Sequence, residues 1–315
     1  MDWSRLFPFK SRQKEGWFAF SPIENGVCFA LIKRRQGAKP EVTVCETHTG
    51  VSLATSQLER LVKPIALKKQ SCSTLLEPHE FQIYSLEAPR VPEAEMKLAI
   101  RWRVKDMIGF PLDDATVEIL DIPIDKYAPG RTRTMYAVVA RNEIIRQRAN
   151  LCEESHIPLS AIDIPEMAQR NIAAFFEREG LALALLAFDQ HGGLLTFTAG
   201  GELYLSRRFD MPARQFREID GADGLQLLMN RIMLELQRSL DYFDRQFHFI
   251  PLDRLLLAPL PVNIELREYL AENLSITVDY CDLDEVLDFS LATPLASEER
   301  TKCFHALGAA LRLEE

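Results

Sequence analysis

Apolar and polar positions along this chain change period several times, and those changes mark out its elements. Residues 183–189, 194–198 and 203–209 are short apolar runs separated by His191-Gly192-Gly193 and Gly200-Gly201. Glycine turns between such runs predict antiparallel strands, because tight hairpins need the positive φ that glycine adopts without strain. The same design opens the chain. Residues 16–20 and 27–33 flank the turn 21–26, Ser-Pro-Ile-Glu-Asn-Gly, and 41–47 supplies a third strand. A β-meander used twice predicts two related lobes, each starting with three strands and continuing into helices.

Between the meanders the pattern alternates between periods. Residues 55–69 predict a helix that contains Pro64, and 71–76 and 81–88 predict strands. Pro92 suits the first turn of a helix over 93–108. Met96, Ile100, Val104 and Met107/Ile108 recur on one face of it, and Lys97, Arg101 and Lys105 lie on another. Gly109-Phe110-Pro111 ends it, and strands follow at 115–122 and 135–140. The block 78–140 therefore reads as a small subdomain inserted into the first lobe.

A helix at 142–155, a strand at 159–164 and a helix at 166–179 lead into the second meander. Beyond the polar, loop-like stretch 210–222 comes the longest helix, 223–247. Its stripe of Leu225, Leu228, Met229, Ile232, Leu236, Leu240, Phe243 and Phe247 reads as core. Residues 254–257 and 276–280 predict strands around a helix at 264–274, and Ser297 stands as the N-cap of a last helix reaching about Leu313. The expected division is 15–77 for the first part of lobe one, 78–140 for the insert, and 141–180 for the second part with its linker helix. Lobe two takes 181–297, and 298–315 returns to lobe one.

Composition narrows the function. The 315 residues are 47% hydrophobic and 26% charged, enough for two ordinary cores. With 46 acidic against 37 basic residues the net charge is -9, which argues against a nucleic-acid partner. No apolar run approaches the roughly 20 residues of a membrane span, and the start, MDWSRLFPFKSRQK, has no secretory pattern. Trp3, Leu6, Phe7 and Phe9 beside Arg5, Lys10, Arg12 and Lys14 read either as a membrane-surface segment or as a frayed leader; Pro8 interrupts any helix there. The six cysteines (28, 45, 72, 152, 281, 303) form no C-x-x-C, so reduced, buried thiols in the cytoplasm are expected, with neither a disulfide nor a zinc site.

No phosphate loop, G-x-G-x-x-G, H-E-x-x-H or G-x-S-x-G occurs, and the six histidines (48, 79, 156, 191, 248, 305) show no metal-ligand spacing. No catalytic residue and no metal ligand is assigned. One chemical reading survives. In two-lobed meander folds the first hairpin of each lobe can cradle nucleotide phosphates in a nest of backbone N–H groups, with an Asp placing Mg²⁺ or water. Asp189, Gly192 and Gly193 are the fragment of that chemistry left intact. The simpler reading of the same three residues is a plain hairpin turn.

Several runs, in order along the chain, resemble one family. Val91-Pro92-Glu93-Ala94-Glu95 through Ile108-Gly109-Phe110-Pro111-Leu112-Asp113-Asp114-Ala115 is similar to its helix–turn–strand segment. Ala161-Ile162-Asp163-Ile164-Pro165-Glu166-Met167-Ala168 resembles its linker into the second lobe. Leu234-Glu235-Leu236-Gln237-Arg238-Ser239-Leu240-Asp241-Tyr242-Phe243 resembles its long helix, and Ala306-Leu307-Gly308-Ala309-Ala310-Leu311-Arg312 its terminal helix. The family is PilM, the cytoplasmic actin-like protein of type IV pilus assembly, and the nearest branch is that of the MSHA pilus, MshI. The resemblance implies an α/β, two-lobed actin/FtsA-like fold, each lobe built on an RNase H-like sheet, with a small inserted subdomain in lobe one. It also implies a PilN-like inner-membrane partner, whose cytoplasmic N-terminal tail docks on lobe one near the insert. Other pilus assembly proteins are implied as partners too. The chain would sit in the cytoplasm, peripheral to the inner membrane through its partner.

Against that family the nucleotide site departs. Relatives that bind nucleotide read D-x-G-x-x-[ST] in the first hairpin, where this chain has Ser21 and Ile23 in place of Asp and Gly. In the second hairpin Asp189 is kept, but His191 takes the glycine position. The adenosine loop reads Ala258-Pro259-Leu260-Pro261. A hydroxyl cannot replace a metal-binding carboxylate, an isoleucine crowds a phosphate, and Pro259 removes an N–H. The expectation is a non-catalytic scaffold that needs no cofactor, with at most weak ATP/Mg binding. The alternatives are an actin-like ATPase of the pilus machinery and the cytoplasmic part of a type II secretion platform protein.

Overall fold

A computed structural model describes residues 15–123, 133–219, 221–293 and 295–313. The aromatic and basic positions of 1–14 lie outside the described residues. The chain opens with β1 (Gly16–Ile23), β2 (Gly26–Lys33), β3 (Glu41–Thr49), α1 (Thr55–Val62) and β4 (Gln70–Leu75). Then come β5 (Phe81–Glu87), α2 (Glu93–Val104), β6 (Ala115–Ile122), β7 (Thr134–Arg141), α3 (Asn142–Glu154), β8 (Leu159–Asp163) and α4 (Pro165–Ala173). The second half runs β9 (Ala182–Asp189), β10 (Gly192–Ala199), β11 (Glu202–Phe209), the short α5 (Arg214–Arg217) and α6 (Gly221–Phe247). It ends with β12 (Leu252–Leu257), α7 (Leu266–Asn273), β13 (Thr277–Tyr280) and α8 (Ser297–Ala310).

Two five-stranded sheets share one plan. The first runs β3-β2-β1-β4-β8 and the second β11-β10-β9-β12-β13. In each, three antiparallel strands are extended by two parallel ones on the far side of the first strand. Between β4 and β8 the first lobe carries the separate sheet β5-β7-β6. Helix α2 covers that sheet, setting Met96, Ile100 and Val104 against Val117, Met135, Ala137 and Val139.

The near-continuous apolar runs of the meanders follow from burial on both faces. Phe18, Phe20, Phe29 and Leu31 point to the α1 and α3 side. Their neighbours Ala19, Cys28, Ala30 and Ile32 point the other way, toward α8. In the second sheet Ala184, Leu186 and Phe188 face α6, while Leu183, Leu185 and Ala187 join α4 and α8 in the core shared by the lobes. Small residues on the inner faces make room for the two helices. Gly308 sets how closely those helices cross, since a Cβ there would lie 2.2 Å from the Ala168 carbonyl oxygen. Asn171 Nδ2 donates to the Gly308 carbonyl at 2.9 Å, across the same crossing.

Three expectations need correction. Cys28 of β2 and Cys303 of α8 are paired as a disulfide with Cα atoms 5.7 Å apart, inside the usual range of roughly 4.4–6.8 Å, rather than left as separate thiols. Their separation of 275 residues hid the pairing from any spacing rule. Cys45, Cys72, Cys152 and Cys281 are free and buried. Burial pushes the Cys45 thiol up to about 12 and Cys152 up to about 11, which makes both poor nucleophiles. The final helix begins at Ser297, so the cap position belongs to Ala296, whose N–H donates to Glu299 Oε2 at 3.1 Å. The helix at 166–179 ends sooner, at Ala173.

Candidate functional site

The inner hairpins of the two sheets meet across a cleft. Ser21 to Glu24 line one wall, Asp189 to His191 the other, with Pro261 and the α8 side chains Glu298, Thr301, Lys302 and His305 behind. The cavity between them is about 70 Å³, against roughly 300–1,000 Å³ for sites that hold small organic ligands.

In the first hairpin the ladder runs on to Ile23 and Gly26, so only Glu24 and Asn25 make the turn. Asn25 takes φ 57°, a conformation its short polar side chain tolerates. Pro22 has no N–H to offer an anion, and the Ser21 hydroxyl donates locally to the Pro22 carbonyl at 3.2 Å. The second hairpin is tied from within. Asp189 Oδ1 accepts from the backbone N–H of His191 at 2.7 Å and of Gly192 at 3.1 Å. Those two donors are the ones a phosphate nest would use.

The glycines of this hairpin answer to packing. Gly192 has φ 141°, and a Cβ there would sit 2.2 Å from the Phe209 carbonyl oxygen. At Gly193 a Cβ would approach the Phe188 ring to 2.9 Å. The structure therefore brings Asp189 to the cleft, while Gly192 and Gly193 are buried behind it in a turn whose donors and close approaches are already used. Behind, Thr301 Oγ1 donates to the Pro259 carbonyl at 3.0 Å, closing the loop that follows β12 onto α8.

Charge in the cleft is mixed and locally paired. Arg217 lies 3.0 Å from Glu298 and 3.7 Å from Glu24, and Lys302 lies 2.9 Å from Glu298. The hydrogen bond and charge of Lys302, with Arg217 beyond, hold Glu298 below the usual carboxylate range. Deeper in, His305 is buried and pushed down to about 4 by desolvation. Its Nε2 lies 3.3 Å from Gln169 Oε1 and its Nδ1 lies 3.6 Å from Asp189 Oδ2. A neutral ring has one N–H and so serves one of these acceptors, Gln169 from Nε2 or Asp189 from Nδ1. Gln169 in turn donates to the Leu194 carbonyl at 3.1 Å and to Thr196 Oγ1 at 3.0 Å. Glu166, also buried and raised by desolvation, is held by Arg208 through Nε at 3.0 Å and Nη2 at 2.8 Å.

Sequence spacing missed one group. Glu77, His79 and His191, one ligand atom from each, lie within 4.8 Å of one another. The histidines are far apart in the chain, and folding alone makes them neighbours; the only local signal was Glu77-Pro78-His79. The sequence spacing of the histidines still carries no metal-ligand motif; the grouping is made by the fold.

No protein-family model matches the sequence, and no curated protein sequence matches it. Solved structures do. A chain of a PilM-PilN type IV pilus biogenesis complex superposes with TM-score 0.74 over 95% of this chain and 98% of its own, at 15% identity. This chain has the two-lobed, actin-like fold. The cytoplasmic domain of EpsL, an inner-membrane component of the type II secretion system of Vibrio cholerae, matches with TM-score 0.49 and 14% identity over 92% of this chain and 94% of its own. A Bacteroides thetaiotaomicron protein of actin-like ATPase fold matches with TM-score 0.46 and 12% identity, over 88% and 94%. No helix among the described residues is long and apolar enough to cross a membrane.

Proposed function

We propose that this chain is a non-catalytic scaffold of type IV pilus assembly, acting at the cytoplasmic face of the inner membrane. The observation that carries the reading is the superposition on a PilM-PilN complex chain, which extends over nearly the whole of both chains. On this reading a PilN-like inner-membrane protein docks its cytoplasmic N-terminal tail on lobe one beside the insert, and the pilus served is of the MSHA type. Leu98 and Trp102, each 59% exposed and one turn apart on α2, give the insert apolar side chains for such a contact. An extended tail bound there would combine main-chain hydrogen bonds with a few apolar pockets.

The cleft is proposed to have given up nucleotide. Pro22 lacks a donor, Asp189 occupies the turn N–H groups of the second hairpin, and Glu24, Glu77 and Glu298 face the space where phosphates would lie. Two measurements test the reading. Titrating the full chain with a synthetic peptide of the PilN-type N-terminus should give saturable binding, and none up to about 1 mM would remove the partner assignment. Mg-ATP should leave the melting temperature unchanged. A nucleotide at about 100 times its Kd would add roughly 2.7 kcal/mol, and a stabilisation of that size would return the cleft to nucleotide chemistry.

A further inference from the structure

Three side chains outside the proposed partner contact converge at the mouth of the cleft. Glu77 and His79 leave lobe one just after β4, and His191 tips the β9–β10 turn of lobe two. Glu77 Oε1 and His191 Nε2 are 3.1 Å apart. Ligands held at roughly 2.0–2.2 Å around a tetrahedral ion lie about 3.3–3.5 Å from each other, so this pair already nearly spans one edge of such a site. The third corner needs His79 to close in by about 1–1.5 Å on the same geometry, and its exposed side chain has room to turn.

The hydrogen-bond count at this point does not close with protein groups alone. Gln190 Nε2 lies 2.9 Å from His191 Nε2 and 3.2 Å from Glu77 Oε1, which completes a triangle of polar atoms. If His191 Nε2 carries a proton toward Glu77, it meets the amide N–H groups of Gln190. If it carries none, its lone pair faces a carboxylate oxygen. Turning the amide over, which the network alone decides, sets a third lone pair at the same point. A cation at the centre satisfies all of these acceptors at once. The nearest opposing charge is Arg148, 3.9 Å from Glu77, and its own partner is Glu80 at 2.8 Å.

We propose that Glu77, His79 and His191 bind a divalent transition ion of the zinc class that bridges the two lobes, with Gln190 or water completing its shell. Two imidazoles and one carboxylate suit such an ion, whereas Mg²⁺ and Ca²⁺ take oxygen ligands. The two sides of the site belong to different lobes, so a bound ion latches the cleft where the fold would otherwise open. The site does not depend on the pilus reading.

The test uses the untagged full chain, stripped with chelator and titrated with Co²⁺ and then Zn²⁺. One equivalent of Co²⁺ should produce the intense visible bands of a tetrahedral ion, and Zn²⁺ should bleach them and raise the melting temperature. His79→Ala, a surface change that leaves the fold intact, should weaken binding by more than about tenfold, the loss that even an outer-sphere partner can carry. His191→Ala should do the same, and His156→Ala, whose side chain is 79% exposed elsewhere, should not. Absence of the visible bands at stoichiometric Co²⁺, or equal affinity in the His79→Ala and wild-type chains, would overturn the proposal.

Discussion

Helix α8 lies against β1 to β4, buried mainly through Cys303, Phe304, Ala306, Leu307, Ala309 and Ala310. Helix α4 lies against β9 to β11, and its buried positions include Glu166 and Gln169, which bond to that sheet. The two helices occupy matching places over sheets of the same strand order, yet the first attachment is mainly apolar while the second adds buried polar contacts, from Glu166 and Gln169, to its apolar ones. Apolar contact scales with area and tolerates small changes. A buried polar contact is directional, and losing one partner strands the other without water. The second lobe should therefore loosen from the helix pair after a single substitution or a drop in pH, while the first should not.

The largest effect is expected at Arg208. Replacing it with Met leaves the Glu166 carboxyl buried and unpaired, and breaking a buried pair in this way typically costs about 3–5 kcal/mol. Urea unfolding at neutral pH should read that loss. Glu166 is already raised by burial, and without Arg208 it would rise further, so protonation should recover part of the loss as pH falls. The double change Glu166→Gln with Arg208→Met should be milder than Arg208→Met alone. If Arg208→Met were neutral, the polar side of the comparison would collapse.

Acid separates the two attachments next. His305 faces Asp189 of β9, Arg208 of β11, His191 of the turn and Gln169 of α4. Its folded pKa is pushed down to about 4 from the usual 6.5 of a free imidazole. Between those values the unfolded chain binds a proton that the folded chain refuses. The stability from this group is thus complete above about 6.5 and is lost as pH falls toward 4. The full window corresponds to a loss on the order of 3 kcal/mol. Melting temperatures measured from pH 7 to pH 4 should fall, and His305→Gln should flatten that slope. An unchanged slope in the variant would assign the acid sensitivity to other groups.

How much of this was legible depended on whether the signal was local. The meanders were, because Gly192-Gly193 and Gly200-Gly201 punctuate apolar runs, and so was α2, whose Met96, Ile100 and Val104 recur at helical spacing. Strand ends were less so: β1 runs on to Ile23 because the ladder with β2 outlasts the apolar pattern. The end of α4 at Ala173, short of the apolar positions that follow it, also escaped local reading. The long-range groups were not legible at all. Nothing near Cys28 announces Cys303, and nothing near His79 announces His191, since the fold makes each pair neighbours. At the second hairpin the residues were found but their role was not. Asp189 reads as a metal-binding carboxylate until its oxygen is seen capping its own turn.

That last point sets the smallest and most specific test, which compares the two hairpins directly. Asp189→Ala removes an acceptor from the N–H groups of His191 and Gly192. Losing charge-assisted bonds in a partly exposed turn should cost about 1 kcal/mol. Ser21→Ala, two positions ahead of the Ile23–Gly26 pair that closes the first hairpin, removes only a local contact to the Pro22 carbonyl and should fall within about 0.5 kcal/mol of wild type. Chemical denaturation of both variants resolves the difference. The sharper readout is Mg-ATP: freeing the two N–H groups in Asp189→Ala reopens half of a phosphate nest, yet Pro22 still denies the other half. If the Asp189→Ala chain remains blind to Mg-ATP, each lobe has lost the phosphate grip by its own route. If it gains affinity, the aspartate alone was holding the site closed.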